Sequence, residues 1–120
     1  MKDSTLREIS YSFAVRIVKL GRFLQEEKHE YIISRQIVKS GTSIGANLEE
    51  ASGAQSHNDF IAKLHISLKE AKETHFWIRL LRDSDFIDLE QADSLLLDIN
   101  HILVLLTKSI KTAKNNSTST

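Results

Sequence analysis

The fold of this chain is decided by residues 35–51, RQIVKSGTSIGANLEEA, and by residues 60–81, FIAKLHISLKEAKETHFWIRLL. In both segments apolar residues recur every three or four positions, which is the period of one face of an α-helix. The first segment also contains the small residues Ser40, Gly41 and Gly45. Because a glycine inside a helix costs about 1 kcal/mol relative to alanine, we expect a neighbouring helix to pack closely there.

The same helical period continues on both sides of these segments. Thr5 and Glu8 fit a capping box at the start of the first helix. The predicted helices span approximately residues 5–27, 31–52, 57–82 and 88–112. Four helices of this length with short connections predict an all-α, up-down-up-down antiparallel four-helix bundle. We expect the bundle to occupy residues 1–113 and the polar tail, residues 114–120, to be disordered.

Composition limits the class of protein. The 120 residues include no proline, four glycines and no cysteine, so disulfides and thiolate metal sites are excluded. The N-terminus lacks the apolar run of a signal peptide, and the longest apolar run, residues 102–106, is too short to span a bilayer. We therefore expect a cytoplasmic protein without membrane contact. Its formal net charge of zero argues against a nucleic-acid binder that uses its whole surface.

The first and fourth predicted helices carry a second apolar set, opposite their core-facing residues. This set consists of Tyr11, Val15, Val18, Leu97 and Val104. Scattered apolar side chains are normal on a protein surface, so one interpretation is that the set has no function. The other is that a second stripe needs a second partner, because a helix in a monomeric bundle needs only one. This interpretation predicts a homo-oligomer with these residues in its interface.

A polar stripe runs beside the apolar faces of the second and third helices. Its members are Gln36, Ser43, Asn47, Glu50, Lys63, Glu70 and Glu73. Three interpretations are open: a structural hydrogen-bonded network, a binding or catalytic groove lined by carboxylates, and a solvated face. We favour the first, because semi-buried polar groups usually serve register and hydrogen-bond satisfaction.

Motifs for catalysis and metal binding are missing from the sequence. Only one of the five histidines, His29, follows a glutamate by three positions, whereas the di-iron sites of helical bundles use two such pairs on two helices, and no glycine-rich phosphate loop occurs. We therefore expect no metal, no cofactor and no enzymatic activity. An enzymatic hypothesis would rest only on the carboxylates of Glu50, Glu70 and Glu73.

Charge is unevenly distributed although its sum is zero. Residues 83–98 include six acidic residues and no basic one, and the bundle topology places them beside Glu26, Glu27 and Glu30. Basic residues gather on the first and last helices, at Arg16, Lys19, Arg22, Lys108, Lys111 and Lys114. These cations form either ordinary solvated faces or a stripe that binds the phosphates of RNA or DNA.

A family resemblance is carried by the helical segments, most specifically by the pattern Ser-Ile-x-Ala-Asn-Leu-x-Glu at residues 43–50. With Phe60-x-x-Lys63-Leu64 and Glu70-Ala71-x-Glu73-Thr74, it resembles the family of the 23S ribosomal RNA intervening-sequence protein. The resemblance spans nearly the whole chain. It implies a small bacterial four-helix bundle that forms ring-like homopentamers and has no attached enzymatic activity. Related proteins serve diversity-generating retroelements as accessory subunits that bind nucleic acid and a reverse transcriptase.

These observations predict a non-enzymatic, homo-oligomeric bundle of undefined cellular role. Its first predicted role is that of a scaffold or binding protein for a macromolecular partner. The alternative is an RNA- or DNA-binding accessory protein that uses the cations of the first and last helices.

Overall fold

The computed structural model describes the backbone of residues 2–118 and the side chains of residues 5–116. It contains four helices, α1 (Lys2–Glu26), α2 (Ile32–Ser52), α3 (His57–Asp83) and α4 (Leu89–Thr118). Each helix packs against its neighbour in the chain, and α1 also packs against α4, whereas the backbones of the two diagonal pairs do not approach closely within the described residues. The predicted antiparallel four-helix bundle is confirmed, and it forms a rod of 52 × 22 × 20 Å.

Two helix ends differ from the sequence-based boundaries. Helix α1 begins at Lys2, so Thr5 lies inside the helix and is not its N-cap. Helix α4 continues to Thr118, through most of the tail that we expected to be disordered, and residues 119 and 120 lie outside the described backbone. Neither glycine nor proline interrupts these stretches, and the imidazole Nε2 of His57 lies 2.9 Å from the carbonyl oxygen of Ala113. This hydrogen bond and the burial of Ala113 join the end of α4 to the start of α3.

The connection between α1 and α2 contains neither glycine nor proline. His29 has the positive φ angle of 53° that reverses the chain. The carboxylate of Glu30 then accepts hydrogen bonds, 2.7–3.0 Å long, from the backbone N–H groups of Ile32, Ile33 and Ser34. Because the first N–H groups of a helix have no partner inside it, this single side chain caps the start of α2.

The connection between α3 and α4 uses a Schellman motif. Asp85 has a φ angle of 66°, and the N–H of Phe86 donates to the carbonyl of Leu81 over 2.9 Å. A capping box then starts α4, because the N–H of Gln91 donates to Oδ1 of Asp88 over 2.7 Å.

Close packing between α1 and α2 depends on two glycines that are placed reciprocally. A Cβ atom on Gly41 of α2 would lie 2.8 Å from Cγ2 of Ile17 on α1. A Cβ atom on Gly21 of α1 would overlap Cγ2 of Val38 on α2. Each glycine has no side chain, and a β-branched side chain of the other helix occupies the space beside it.

The core is mainly apolar, and its few buried polar side chains include hydroxyl groups that join α2 to α3. Oγ1 of Thr74 lies 2.8 Å from Oγ of Ser40, and Oγ of Ser67 donates to the carbonyl of Ile44 over 2.9 Å. All three hydroxyl residues are fully buried. Since a buried hydroxyl without a partner is costly, these bonds favour one register of α2 against α3.

Candidate functional site

The outer sides of α1 and α4 each expose an apolar stripe. On α1 the stripe is formed by Tyr11, Val15 and Val18, and on α4 by Leu97 and Val104. Tyr11 is 69% exposed and Leu97 is 73% exposed. Their spacing of three, four and seven residues aligns the members of each stripe along its helix, on the side away from the core.

A polar seam separates the two stripes. The guanidinium of Arg16 on α1 lies 2.6 Å from the carboxylate of Asp98 and 3.0 Å from Oγ of Ser94, both on α4. These polar side chains lie along the contact between α1 and α4. The two apolar stripes are therefore separate surfaces at adjacent corners of the bundle.

The predicted polar stripe is joined between helices at one end. Nζ of Lys63 on α3 lies 2.7 Å from Oε1 of Glu50 on α2, and the hydrogen bond to this carboxylate raises the pKa of Lys63. Ser43 and Asn47 turn instead to their own helix. The hydroxyl of Ser43 donates to the carbonyl of Lys39 over 2.6 Å, and the amide of Asn47 donates to the carbonyl of Ser43 over 2.8 Å.

The remaining members of that stripe lie apart from one another. Gln36 is exposed on α2, and Glu70 is half-buried on α3. Glu73 accepts a hydrogen bond of 3.1 Å from the indole Nε1–H of Trp77 on its own helix. The carboxylates of Glu50 and Glu73 therefore have separate partners, in contrast to the converging pair that acid–base catalysis uses.

The polar network predicted from the sequence did not include the buried hydroxyl groups of Ser40, Ser67 and Thr74, which the structure shows in contact between α2 and α3. Their signal in the sequence is the presence of serine and threonine at positions of the core-facing stripe, where apolar residues are expected.

The six cations proposed to bind phosphates fall into two groups. Arg16 is engaged by Asp98, whereas Lys19 and Arg22 are exposed on α1. The contact of Arg16 with Ser94 and Asp98 fixes the position of α1 along the bundle axis relative to α4. At 1.5 Å per residue, Lys19 and Lys108 lie about 20 Å apart along the rod. Lys111 is exposed one turn after Lys108 in the C-terminal half of α4, and Lys114 is exposed in the next turn.

A further charged surface, on α3, was not predicted from the sequence. His65, Lys69, Lys72, Phe76 and Arg79 follow one another at steps of four, three, four and three residues, and all five are exposed. Such spacing places them on one side of the helix, opposite its buried residues. The guanidinium carbon of Arg79 lies 5.8 Å from the centroid of the Phe76 ring. We refer to these five residues as the α3 outer face.

One flank of this face carries a half-buried histidine and a half-buried arginine. Burial lowers the pKa of the half-buried His75 imidazole, and the nearby charges of Arg79 and Arg82 lower it further. Arg82 in turn pairs with Asp83 over 2.8 Å, where the acidic end of the bundle begins.

The described residues form neither a metal site nor a membrane-spanning helix. No group of three histidine, aspartate or glutamate side chains among them is placed to hold a metal ion. None of the four helices, as far as the structure describes them, has a stretch with the length and hydropathy needed to cross a bilayer.

Comparison with known proteins identifies the family. The model of the 23S rRNA-intervening sequence protein family matches residues 2–108, so the chain belongs to that family. A crystal structure of a protein of unknown function from the S23 ribosomal protein family of Bacteroides thetaiotaomicron is similar, with a TM-score of 0.91 and 50% sequence identity. The alignment covers 92% of this chain and 99% of that one. Comparison with curated proteins gave no match.

Proposed function

We propose that this protein is a non-enzymatic, homo-oligomeric four-helix bundle that acts as a scaffold or binding protein for a macromolecular partner. The proposal is carried by one observation, the pair of exposed apolar stripes on the outer sides of α1 and α4. Burying a leucine completely contributes about 1.5–3 kcal/mol, so covering the 73% of Leu97 that is exposed would contribute about 1–2 kcal/mol.

The position of the stripes favours a ring. Since the stripes differ in sequence and lie at adjacent corners, the simplest pairing brings the α1 stripe of one copy onto the α4 stripe of the next. Such a head-to-tail contact closes into a ring when the rotation between copies divides a full circle. The pentameric ring implied by the family resemblance is an arrangement of this kind.

The mass of the protein in solution tests this proposal. We expect sedimentation velocity at micromolar concentration to give a multiple of the 13.6 kDa chain mass. Leu97→Glu should give a monomer, because it places a charge in the apolar contact. Leu89→Glu is the matched control, since Leu89 is 69% exposed on the same helix but lies outside the stripe. A monomeric wild-type protein, or equal dissociation by both variants, would contradict the proposal.

An RNA- or DNA-binding accessory role is the second candidate, and the exposed cations of α1 and α4 favour it. Within one copy these cations do not form a continuous track, because the ion pair of Arg16 and the separation of Lys19 from Lys108 divide them. An assembly would bring further copies of each group together. Replacing Lys108 and Lys111 by glutamine should then reduce binding to RNA or DNA, measured by an electrophoretic shift at two salt concentrations.

A further inference from the structure

We propose that the α3 outer face binds single-stranded nucleic acid, with Phe76 stacking on a base and the neighbouring cations contacting phosphates. This inference rests on the proposed role as a binding protein and names the chemical class of the partner. It places the contact on α3, away from the α1 and α4 cations considered above.

The charge of this face is uncompensated along most of its length. The side chains of Lys69, Lys72 and Arg79 lie on the exposed side of α3, and none of the ion pairs in the described part of the chain includes them. From Lys69 to Arg79 the cations span about 15 Å of helix. Such a row of cations fits a chain of phosphates better than it fits a single ion.

Two of the acidic groups beside this row have partners of their own. Glu73 accepts the indole N–H of Trp77, and Asp83, one turn beyond Arg79, pairs with Arg82. On α2 the neighbouring Ser43 and Asn47 are neutral and hydrogen-bond within their own helix. The positive potential over Lys69 and Lys72 is therefore not neutralised by an adjacent ion pair.

The aromatic ring distinguishes a single strand from other anionic partners. Phe76 is 47% exposed in the middle of the row, and its edge-to-face contact with Trp77, with centroids 5.0 Å apart, holds its orientation. An exposed ring flanked by cations is the arrangement used to stack unpaired bases. In a duplex the bases are already stacked on each other, and an acidic peptide offers no flat face to the ring.

The experiment is a fluorescence-anisotropy titration of labelled 20-nucleotide oligouridylate and of an RNA duplex of equal length, at 50 and 200 mM salt. We expect the wild-type protein to bind the single strand more tightly. Phe76→Leu should weaken that binding about tenfold with the salt dependence unchanged, since it removes only the stacking surface. The double variant Lys69→Gln/Lys72→Gln should reduce the slope of log K against log salt by about 1.4, which is 0.7 for each lost cation.

The matched control is Arg35→Gln/Lys39→Gln, which removes two exposed cations from α2 and should leave single-strand binding unchanged. All variants are first compared with the wild type by circular dichroism and by mass in solution, so that lost folding or assembly is recognised separately. The proposal is overturned by no binding at 50 mM salt, by an equal loss in the α2 variant, or by an unchanged affinity in Phe76→Leu. None of these outcomes bears on the mass measurement that tests the assembly.

Discussion

Replacing the two glycines of α2 by alanine should have opposite effects on stability. In Gly45→Ala the new Cβ would have Ser10 O as its nearest neighbour, at 3.6 Å, an ordinary contact. We expect a gain of about 1 kcal/mol, because alanine favours the helix. In Gly41→Ala the new Cβ would lie 2.8 and 2.9 Å from Cγ2 and Cγ1 of Ile17, which is fully buried and has little freedom to move.

Overpacking of this kind costs about 1–3 kcal/mol. We therefore expect Gly41→Ala to be about 1–3 kcal/mol less stable than Gly45→Ala, although both changes have the same effect on helix propensity. The free energy of unfolding is obtained from urea denaturation followed by circular dichroism, at one protein concentration for both variants. Equal stabilities for the two variants would show that α1 does not approach α2 at Gly41 as the structure describes.

A double-mutant cycle on the reciprocal contact supplies an independent check. Gly21→Ala should be destabilising in the wild-type background, since its Cβ would overlap Cγ2 of Val38. In a Val38→Ala background that atom is absent, and Gly21→Ala should become stabilising by about 1 kcal/mol. Additive effects in the cycle would contradict the close approach of the two helices.

Three other changes test the turns, the buried hydroxyl groups and the pH dependence. Glu30→Ala should lower the free energy of unfolding by about 1–2 kcal/mol in urea denaturation, because α2 loses its cap; Glu27→Ala is the exposed control. Thr74→Val should cost about 1 kcal/mol, and less in a Ser40→Ala background, where its partner is already removed. The lowered pKa of His75 makes its protonated form less favourable in the folded protein, so this group removes stability as the pH falls below 6.5. Thermal unfolding between pH 7.5 and 5 should therefore show a smaller loss of stability in His75→Gln than in the wild type.

The bundle was predictable because the apolar residues of α2 and α3 repeat at the helical period along the whole of each helix. The turn residues were harder to recognise. His29 and Asp85 adopt positive φ angles, a conformation that histidine and aspartate adopt less often than glycine does. The end of α4 was placed too early, because the polarity of residues 114–118 suggested a frayed tail, whereas a polar stretch without glycine or proline remains compatible with a helix.

The charged surfaces were predictable only in part, because residues that lie side by side on a helix are three or four positions apart in the sequence. Lys69 and Lys72 alternate with Glu70 and Glu73 along the chain, so their segment has no net excess of charge. The helical repeat places the lysines on the exposed side and the glutamates toward α2. The buried contact between Ser40 and Thr74 depends on the relative height of two helices, which no local pattern specifies.

The antiparallel order of the helices also brings the described ends of the chain, residues 2 and 118, to the same end of the rod. Because α1 begins and α4 ends at the same end of the rod, a short peptide joining residue 118 to residue 2 would follow the existing path without crossing the bundle. New termini could then be opened between Ser52 and His57, at the same end, or between Asp83 and Leu89, at the other end. Circularly permuted chains of this kind would allow a fused reporter to be attached at either end of the molecule without altering any helix.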